Sequence, residues 1–135
     1  MQKALKSKFG ELYLETSYDK DTPWVNNNWI GYVTVDDVKN GANACLELIR
    51  AQGTHKLLND NTYLTGPWDE ANEWIATDWM PRALGAGLKR FAHVVFPDIF
   101  GALSAEAMQT RVSDFDFEMR IFHAKADAER WLHLN

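Results

Sequence analysis

The stretch from Asp60 to Trp68 holds the densest set of side chains that could bind or transform another molecule. Its sequence, DNTYLTGPW, supplies a carboxylate, a carboxamide, threonine hydroxyls and aromatic rings. Asp60 follows an apolar run, and an acidic residue at that place either forms a turn or contacts a ligand, so both interpretations stay open. We predict a cleft outside the carboxyl ends of two parallel strands, with these binding residues: Asp60, Asn61, Thr62, Tyr63, Thr65, Trp68 and Phe100.

Residues that usually carry catalysis or bind metals lack suitable neighbours elsewhere in the chain. No serine stands in a Gly-x-Ser-x-Gly context, and Cys45 lies on the apolar stripe of a predicted helix, which is typical of a small buried hydrophobe. His93 is in the middle of a predicted strand and is expected to be a hydrogen-bonded core residue. The four histidines are His55, His93, His123 and His133. No two of them are four residues apart, and none has a cysteine nearby in the sequence, so no metal and no cofactor is expected.

We therefore expect a protein without enzymatic activity. The alternative is a small hydrolase or isomerase that uses Asp60 as acid or base with a nearby acid, because paired carboxylates can split their pKa values. Asp69 and Glu73 are one helical turn apart and could form a pair of this kind. Anions in the first turn of a helix are stabilised by its dipole without any function, and we interpret this pair in that way.

Trp68 is followed by Trp74 and Trp79, and four residues recur at helical spacing on one face: Trp68, Ala71, Ile75 and Trp79. Trp79 lies on an apolar face and is predicted to pack against the sheet. Trp74 lies off that face and Trp68 stands at the helix entrance, so either one is a candidate for partial exposure. Exposed tryptophan at a loop edge is a common anchor for a partner or an apolar ligand.

The elements that position these residues alternate in the order β-β-α-β-α-β-α-β-α. Thr34 and Asp37 form a capping-box pattern at the start of the first helix, and Gly53 ends it. The second helix is predicted to begin near Pro67 and to stop or kink at Pro81. Strands are predicted at 12–19, 24–33, 55–60, 90–96 and 116–122, and further helices at 104–112 and 124–134.

Right-handed crossovers between strands and helices of this length give an α/β fold with parallel strands at the sheet centre. The N-terminal hairpin makes the sheet mixed, with about five strands and about four helices. A chain of 135 residues predicts one domain over residues 1–135, with 1–10 as a loosely ordered segment.

Composition excludes several classes of partner. Hydrophobic residues make up 46% of the chain and charged residues 24%, which is typical of a globular protein. The net charge of −5 comes without a basic stripe, so no nucleic acid is expected as a partner. No apolar run is long enough for an integral membrane segment, and the single cysteine favours a reducing, cytoplasmic location. Whether the protein forms a homodimer through the edge of its hairpin is left open by the sequence.

Two stretches, WIGYVTVDDVKNG and DWMPRALGAGLKRFAHVV, together with the order of elements, resemble the SpoIIAA-like, STAS-type bacterial domains. The resemblance covers nearly the whole chain and implies the SpoIIAA-like fold. It also implies a regulatory or binding module that recognises a protein partner at the loop after the third strand. This family is also similar to SEC14-type carriers of lipids, which implies a small apolar ligand as the alternative to a protein partner.

In the partner-switching members of this family, an Asp-Ser pair after the third strand carries the serine that a kinase phosphorylates. Here that place reads Asp60-Asn61-Thr62, and the serine is absent. The Ser-Gly-Leu-Gly run that would start the following helix is absent as well. The resemblance leaves Thr62 or Thr65 as the possible phosphoacceptors.

Overall fold

The structure, a computed structural model, describes residues 1–65, 68–96, 99–113 and 115–134, and residues 99–101 by their backbone alone. Six strands form one mixed sheet in the order in which they occur along the described chain. The first two neighbouring pairs are antiparallel, and the other three are parallel. The strands are β1 Gln2–Lys6, β2 Leu12–Asp19, β3 Thr22–Gly31, β4 Lys56–Leu64, β5 Arg90–Val95 and β6 Glu118–Phe122.

Helices connect the parallel strands. The first, α1 Val35–Gln52, has the predicted capping box between Thr34 and Asp37, and Gly53 ends it in the left-handed conformation at φ 63°. The last two helices are α4 Ile99–Val112 and α5 Lys125–His133. These positions confirm the predicted hairpin, crossover order and closing helix.

The second helical stretch, residues 69–85, changes its winding three times. It passes from a 3₁₀ turn at Asp69–Ala71 through α2 Asn72–Trp74 and a π-helical turn at Ile75–Trp79 to α3 Met80–Gly85. Of the two outcomes predicted at Pro81, a stop or a kink, the stop is wrong, because α3 continues past this residue. In a regular α-helix the proline ring would clash with the carbonyl four residues earlier. The wider π-helical turn directly before Pro81 is where the chain departs from that geometry.

The sixth strand is β1, which lies in the segment 1–10 that was expected to be loosely ordered. It pairs antiparallel with β2, so the predicted hairpin of β2 and β3 has no free edge. The exposed edge on that side belongs to β1, which carries Lys3 and Lys6. Lysines on an edge strand oppose pairing with another sheet. The homodimer therefore stays a prediction, and the edge first considered for it is already covered.

The sheet separates two cores of different size. α1, the 69–85 stretch and α4 contribute Cys45, Trp79 and Met108 to the larger core on one face. α5 covers the other face with Ala128, Trp131 and Leu132, which pack against Trp24 and Leu58 of the sheet. No helix in the described part of the chain is long and apolar enough to span a bilayer. The face with the larger core carries the cavity that forms the candidate site.

Gly41 of α1 lets the helix approach the sheet at Trp29. A Cβ at position 41 would lie 2.5 Å from Cη2 of Trp29 and 2.8 Å from Cδ2 of Leu14. The Trp29 ring also stacks on Tyr13, with ring centroids 6.2 Å apart. The indole is thus confined between a strand neighbour and the backbone of a helix, which fixes the position of its N–H group.

We predict that Gly41→Ala destabilises the protein by about 1–2 kcal/mol. The cost of overpacking, about 1–3 kcal/mol, exceeds the gain of up to about 1 kcal/mol from the higher helix propensity of alanine. Urea denaturation of both proteins measures the change. Gly85→Ala is the matched control, because a Cβ there meets no atom within 4 Å, and it should be neutral or stabilising. Equal stability of Gly41→Ala and the wild type would contradict this role of Gly41.

Candidate functional site

A cavity of about 50 Å³ lies between the sheet and the helices of the larger core. Its walls are mostly aliphatic and aromatic, with Leu57, Ile75 and Phe91 among them. Among the described lining residues, the amides and the imidazole come from the sheet side, where Asn27, Asn59, Asn61 and His93 lie on β3, β4 and β5. About 10–15 Å³ of such space holds one water molecule, so the cavity has room for a few water-sized groups.

The polar side chains form a row across three adjacent strands. In the parallel ladders Asn27 is in register with Asn59, and Asn59 is in register with His93. Asn61 is two residues after Asn59, so its side chain points to the same face of the sheet. All four residues are buried, with 7% or less of each exposed. Buried side-chain amides nearly always form hydrogen bonds, and these residues form them with one another.

Trp29 sets the direction of the hydrogen bonds in this row. Its indole Nε1–H can only donate, and it donates to Oδ1 of Asn59 at 2.7 Å. The Asn59 amide nitrogen must therefore point the other way, and it donates to Oδ1 of Asn61 at 3.1 Å. The Asn61 nitrogen in turn faces Nε2 of His93 at 3.0 Å. Because this nitrogen donates, Nε2 accepts, and the proton of the neutral imidazole is on Nδ1.

The row leaves one donor and one acceptor unused at its two ends. Asn27 donates its amide to Oδ1 of Asn59 at 3.3 Å, so its own Oδ1 points elsewhere. Among the described residues, neither Oδ1 of Asn27 nor Nδ1 of His93 has a hydrogen-bond partner. Both residues line the cavity. The cavity therefore combines apolar walls with a polar row whose two end residues each keep one buried polar atom without a described partner.

His93 is held neutral by its surroundings. The residue is completely buried, and desolvation lowers the pKa of its imidazole to about 3. Its ring contacts Trp68, at 5.5 Å between centroids, and Phe91, at 5.6 Å. The prediction of a hydrogen-bonded core histidine is confirmed by its bond to Asn61.

Trp68 is buried, so Trp74, which is half-buried, is the one of the two candidates that is partly exposed. The Trp68 ring packs against Val95 and Ala105 as well as His93. Trp68, Val33 and Val38 line the cavity and also an outer depression of about 230 Å³. These three side chains therefore form the wall between the cavity and the surface.

Asp60 has a structural task at an irregularity of β4. The register between β3 and β4 shifts beyond the Asn28–Asp60 pair, so β4 contains one residue more than β3 at that point. The carboxylate of Asp60 accepts the backbone N–H of Thr62 at 2.9 Å and its hydroxyl at 2.5 Å. Asp60 is paired with Val94, which belongs to the α5 side of the sheet, so it lies on the face opposite the cavity.

The other predicted site residues divide between the cavity and the surface. Asn61 joins Trp68 in the cavity wall, whereas Tyr63 and Thr65 are exposed and Thr62 is half-buried. Phe100 lies outside the residues whose side chains are described, and so does the start of the second helix predicted at Pro67. The prediction that β4 ends at residue 60 was wrong, because the strand continues to Leu64.

Four contributors to the site were not predicted as binding residues: Asn27, Trp29, Asn59 and His93. A signal for Asn59 exists in the alternation of β4, where Leu57, Asn59 and Asn61 share one face. Amides at every second position form a polar row once the strand is known to continue, but their composition alone is that of a loop. Cys45 behaves as predicted, because burial raises the pKa of its thiol to about 12, against a smaller lowering by the Asn27 amide.

The overall architecture is similar to that of a solved structure described as an uncharacterized protein from the DUF3478 family with a SpoIIAA-like fold, from Shewanella loihica PV-4. The two share 20% sequence identity with a TM-score of 0.59, over 98% of this chain and 95% of that chain. No protein-family model and no curated protein matches the chain. This chain thus has a SpoIIAA-like α/β fold, which confirms the fold implied by its sequence motifs, with six strands in place of about five.

The depressed pKa of His93 predicts a specific loss of stability in mild acid. Between pH 6.5 and pH 3 the unfolded chain binds a proton at this residue and the folded chain does not. Stability therefore falls as pH falls, by about 1.4 kcal/mol per pH unit below 6.5, or about 2 kcal/mol between pH 7 and pH 5.

Urea denaturation of the wild type and of His93→Gln at both pH values isolates this contribution. The variant should be less stable at pH 7 but should lose about 2 kcal/mol less on acidification. His55→Gln, at an exposed histidine, serves as the control and should keep the wild-type dependence. An equal loss in the wild type and His93→Gln would show that His93 is not held neutral.

Proposed function

We propose that this protein is a non-enzymatic binding module that takes up a small, mainly apolar molecule between its sheet and its helices. The observation that carries the proposal is the cavity itself, in which apolar walls enclose a hydrogen-bonded row of amides that ends at the buried ring of His93. Ligand sites commonly combine apolar lining with a few polar groups that orient the ligand. A core that served stability alone would gain from filling this space with an apolar side chain.

The route into the cavity passes Trp68 from the outer depression. This depression lies next to the start of α1 and the 3₁₀ turn, where Tyr32, Thr34 and Asp69 line it. It is at the carboxyl ends of β3 and β4, which is where open α/β sheets generally bind ligands. The cavity holds only a group of a few atoms, so a larger ligand displaces the Trp68 ring and extends into the depression.

The π-helical turn at Ile75–Trp79 supports the same site. Ile75 and Trp79 both line the cavity, and single π-helical turns occur frequently at functional sites. Trp79 is held by its indole N–H, which donates to the carbonyl of Ala42 at 2.8 Å. The turn thus presents two cavity-lining side chains while α1 fixes one of them in place.

The enzymatic alternative lacks support, because it requires Asp60 to exchange protons in a cleft. The Asp60 carboxylate is occupied by the amide and hydroxyl of Thr62 and lies on the face away from the cavity. Further parts of this proposal are a regulatory role in a bacterial cell and phosphorylation of Thr62 or Thr65, which rest on the family resemblance. A cytoplasmic location is also proposed, and it rests on the single cysteine and on the lack of a long apolar run.

Ligand binding is tested by narrowing the cavity. We predict that Ala42→Leu, which places a larger side chain in the cavity wall, abolishes binding of a small apolar molecule. Native mass spectrometry of gently purified protein should show an added mass in the wild type and none in this variant. Ala44→Leu, two residues further along α1 and outside the cavity wall, is the matched control and should keep the added mass.

Wild-type protein that has only its own mass, and whose melting temperature does not change with any member of a panel of small apolar compounds, would contradict the proposal.

A second candidate function is the recognition of a protein partner, and one observation favours it. Tyr32, Tyr63 and Phe96 are 74%, 65% and 52% exposed, and they lie at or just beyond the carboxyl ends of β3, β4 and β5. Because these strands are parallel neighbours, the three rings are at the same edge of the sheet. Exposed aromatic side chains in one area are typical of an interaction surface.

For this second candidate we predict that a Tyr32→Ser, Tyr63→Ser double variant folds normally but no longer captures a protein that the wild type captures from cells. The control is Leu134→Ser, which also changes an exposed apolar residue. Leu134 is at the opposite edge, where its carbonyl accepts a hydrogen bond from Lys56 at the start of β4. Unchanged capture by the double variant would exclude this surface.

A further inference from the structure

β6 is the second edge of the sheet, and in the described part of the chain it pairs with β5 alone. The backbone N–H of Glu118 donates to the carbonyl of Lys89, directly before β5, at 2.9 Å. Main-chain groups point to alternate sides along a strand, so Arg120 also faces β5. Met119 and Ile121 therefore direct their N–H and C=O groups away from the sheet. A row of main-chain groups of this kind can pair with another strand.

The end of α4 lies beside this edge. Nε2 of Gln109 donates to the carbonyl of Met119 at 3.2 Å. A carbonyl oxygen has two lone pairs, so this one can accept a second hydrogen bond. A groove of about 450 Å³ lies between the end of α4 and β6, with Val112, Phe117 and Met119 among its lining residues. The edge thus combines outward main-chain groups with open space for the side chains of an added strand.

The side chains of β6 differ between the two faces of the sheet. Phe117, directly before the strand, and Met119 pack against the larger core. Arg120 lies on the opposite face, where its guanidinium is 5.3 Å from the centre of the Trp131 ring. Glu118 is on that face too, and both charged side chains are exposed. β1 carries lysines at its edge, whereas β6 carries one charge of each sign.

These charges select one register between two copies of β6. Copies related by a twofold axis pair antiparallel, and the outward-facing residues 119 and 121 must form the hydrogen-bonded pairs. A pair centred on Met119 places Glu118 of each copy opposite Arg120 of the other. A pair centred on Arg120 places two arginines opposite each other, which is destabilising. A pair centred on Ile121 places both charges opposite apolar residues.

The register centred on Met119 also matches on the other face. There Met119 meets its own counterpart, and Phe117 of each copy meets Ile121 of the other. Apolar side chains thus meet apolar ones on the side of the larger core, while opposite charges meet on the side of α5. Cross-strand pairs of both kinds stabilise antiparallel sheets.

We propose that β6 is a self-recognition edge, at which two copies of this chain pair antiparallel about Met119 and join their sheets. The partner that fits this surface is a second copy, because its charges are complementary only to themselves in reverse order. None of the described cavity-lining residues lies on β6, so the inference goes beyond the proposed function and is independent of it. The homodimer that the sequence left open forms through β6 and not through the hairpin.

Sedimentation velocity of the complete chain over a series of concentrations tests this pairing. The wild type should change from monomer to dimer as the concentration rises. Glu118→Arg and Arg120→Glu each place like charges opposite each other at both symmetric positions, and each should raise the dissociation constant about tenfold or more. In an equimolar mixture of the two variants every cross-strand pair again has opposite charges. The mixture should therefore dimerise about as tightly as the wild type.

Lys6→Glu is the matched control for the charge reversals. Lys6 is exposed on β1 at the other edge, and its reversal changes the net charge as much as Arg120→Glu does. This variant should dimerise like the wild type. Ile121→Pro is a second variant that changes no charge and removes an outward N–H, which an edge strand tolerates. It should keep the circular dichroism spectrum of the folded protein but remain a monomer.

Three results would overturn the proposal. The first is a wild type that stays monomeric at every concentration, including one that pairs at β6 with an extended segment of another protein. The second is a mixture of the two charge variants that dimerises no better than either variant alone. The third is a dimer that persists in both charge variants and in Ile121→Pro, because its interface would lie elsewhere.

Discussion

The hydrogen bond from the Trp29 indole to the side-chain oxygen of Asn59 is the constraint on which the rest of the site depends. An amide such as that of Asn59 can be placed in two orientations of equal shape, and so can that of Asn61. An indole N–H cannot accept, so it fixes the orientation of Asn59. Each later bond in the row then follows, up to the tautomer of His93. One donor-only group thus determines the hydrogen-bonding character of a cavity three strands wide.

This constraint works only because the indole itself cannot move. Gly41 allows α1 to lie directly on the Trp29 ring, and Tyr13 supports the ring on the sheet. At the other end of the row, the rings of Trp68 and Phe91 enclose His93 and keep it out of water. The aromatic residues thus serve two purposes here, since they close the larger core and they hold a polar row in a fixed arrangement. A row fixed in this way is pre-organised, which lowers the entropic cost of binding a ligand.

Much of the fold could be predicted from local patterns. Thr34 and Asp37 predict the capping box of α1, and Gly53 predicts its end. The structure has the helix between these residues. The end of β4 could not be predicted in this way, because its asparagines have the composition of a loop and become acceptable in a strand only through partners on β3 and β5. Contacts between residues distant in sequence decided that case.

The candidate site was predicted only in part, again because contacts between residues distant in sequence form it. Asn61 and Trp68 belong to the cavity wall, whereas the sequence pattern predicts them in a cleft outside the strand ends, together with Asp60. The bulge in β4 reverses the alternation of side chains after Asn61, so Leu64 points inward and Tyr63 outward. A bulge has no signature in a single sequence when no glycine accompanies it. Asp60 satisfies the backbone amide of Thr62 at this bulge, which gives its conspicuous position a structural explanation.

The tautomer of His93 tests this account most directly. Two-bond ¹H–¹⁵N correlation spectra of protein labelled at histidine distinguish a protonated from an unprotonated ring nitrogen. The account predicts a neutral His93 with its hydrogen on Nδ1 at pH 7, unchanged at pH 5, and a loss of this strict preference in Trp29→Phe. A hydrogen on Nε2 in the wild type, or a charged imidazolium at pH 5, would contradict it.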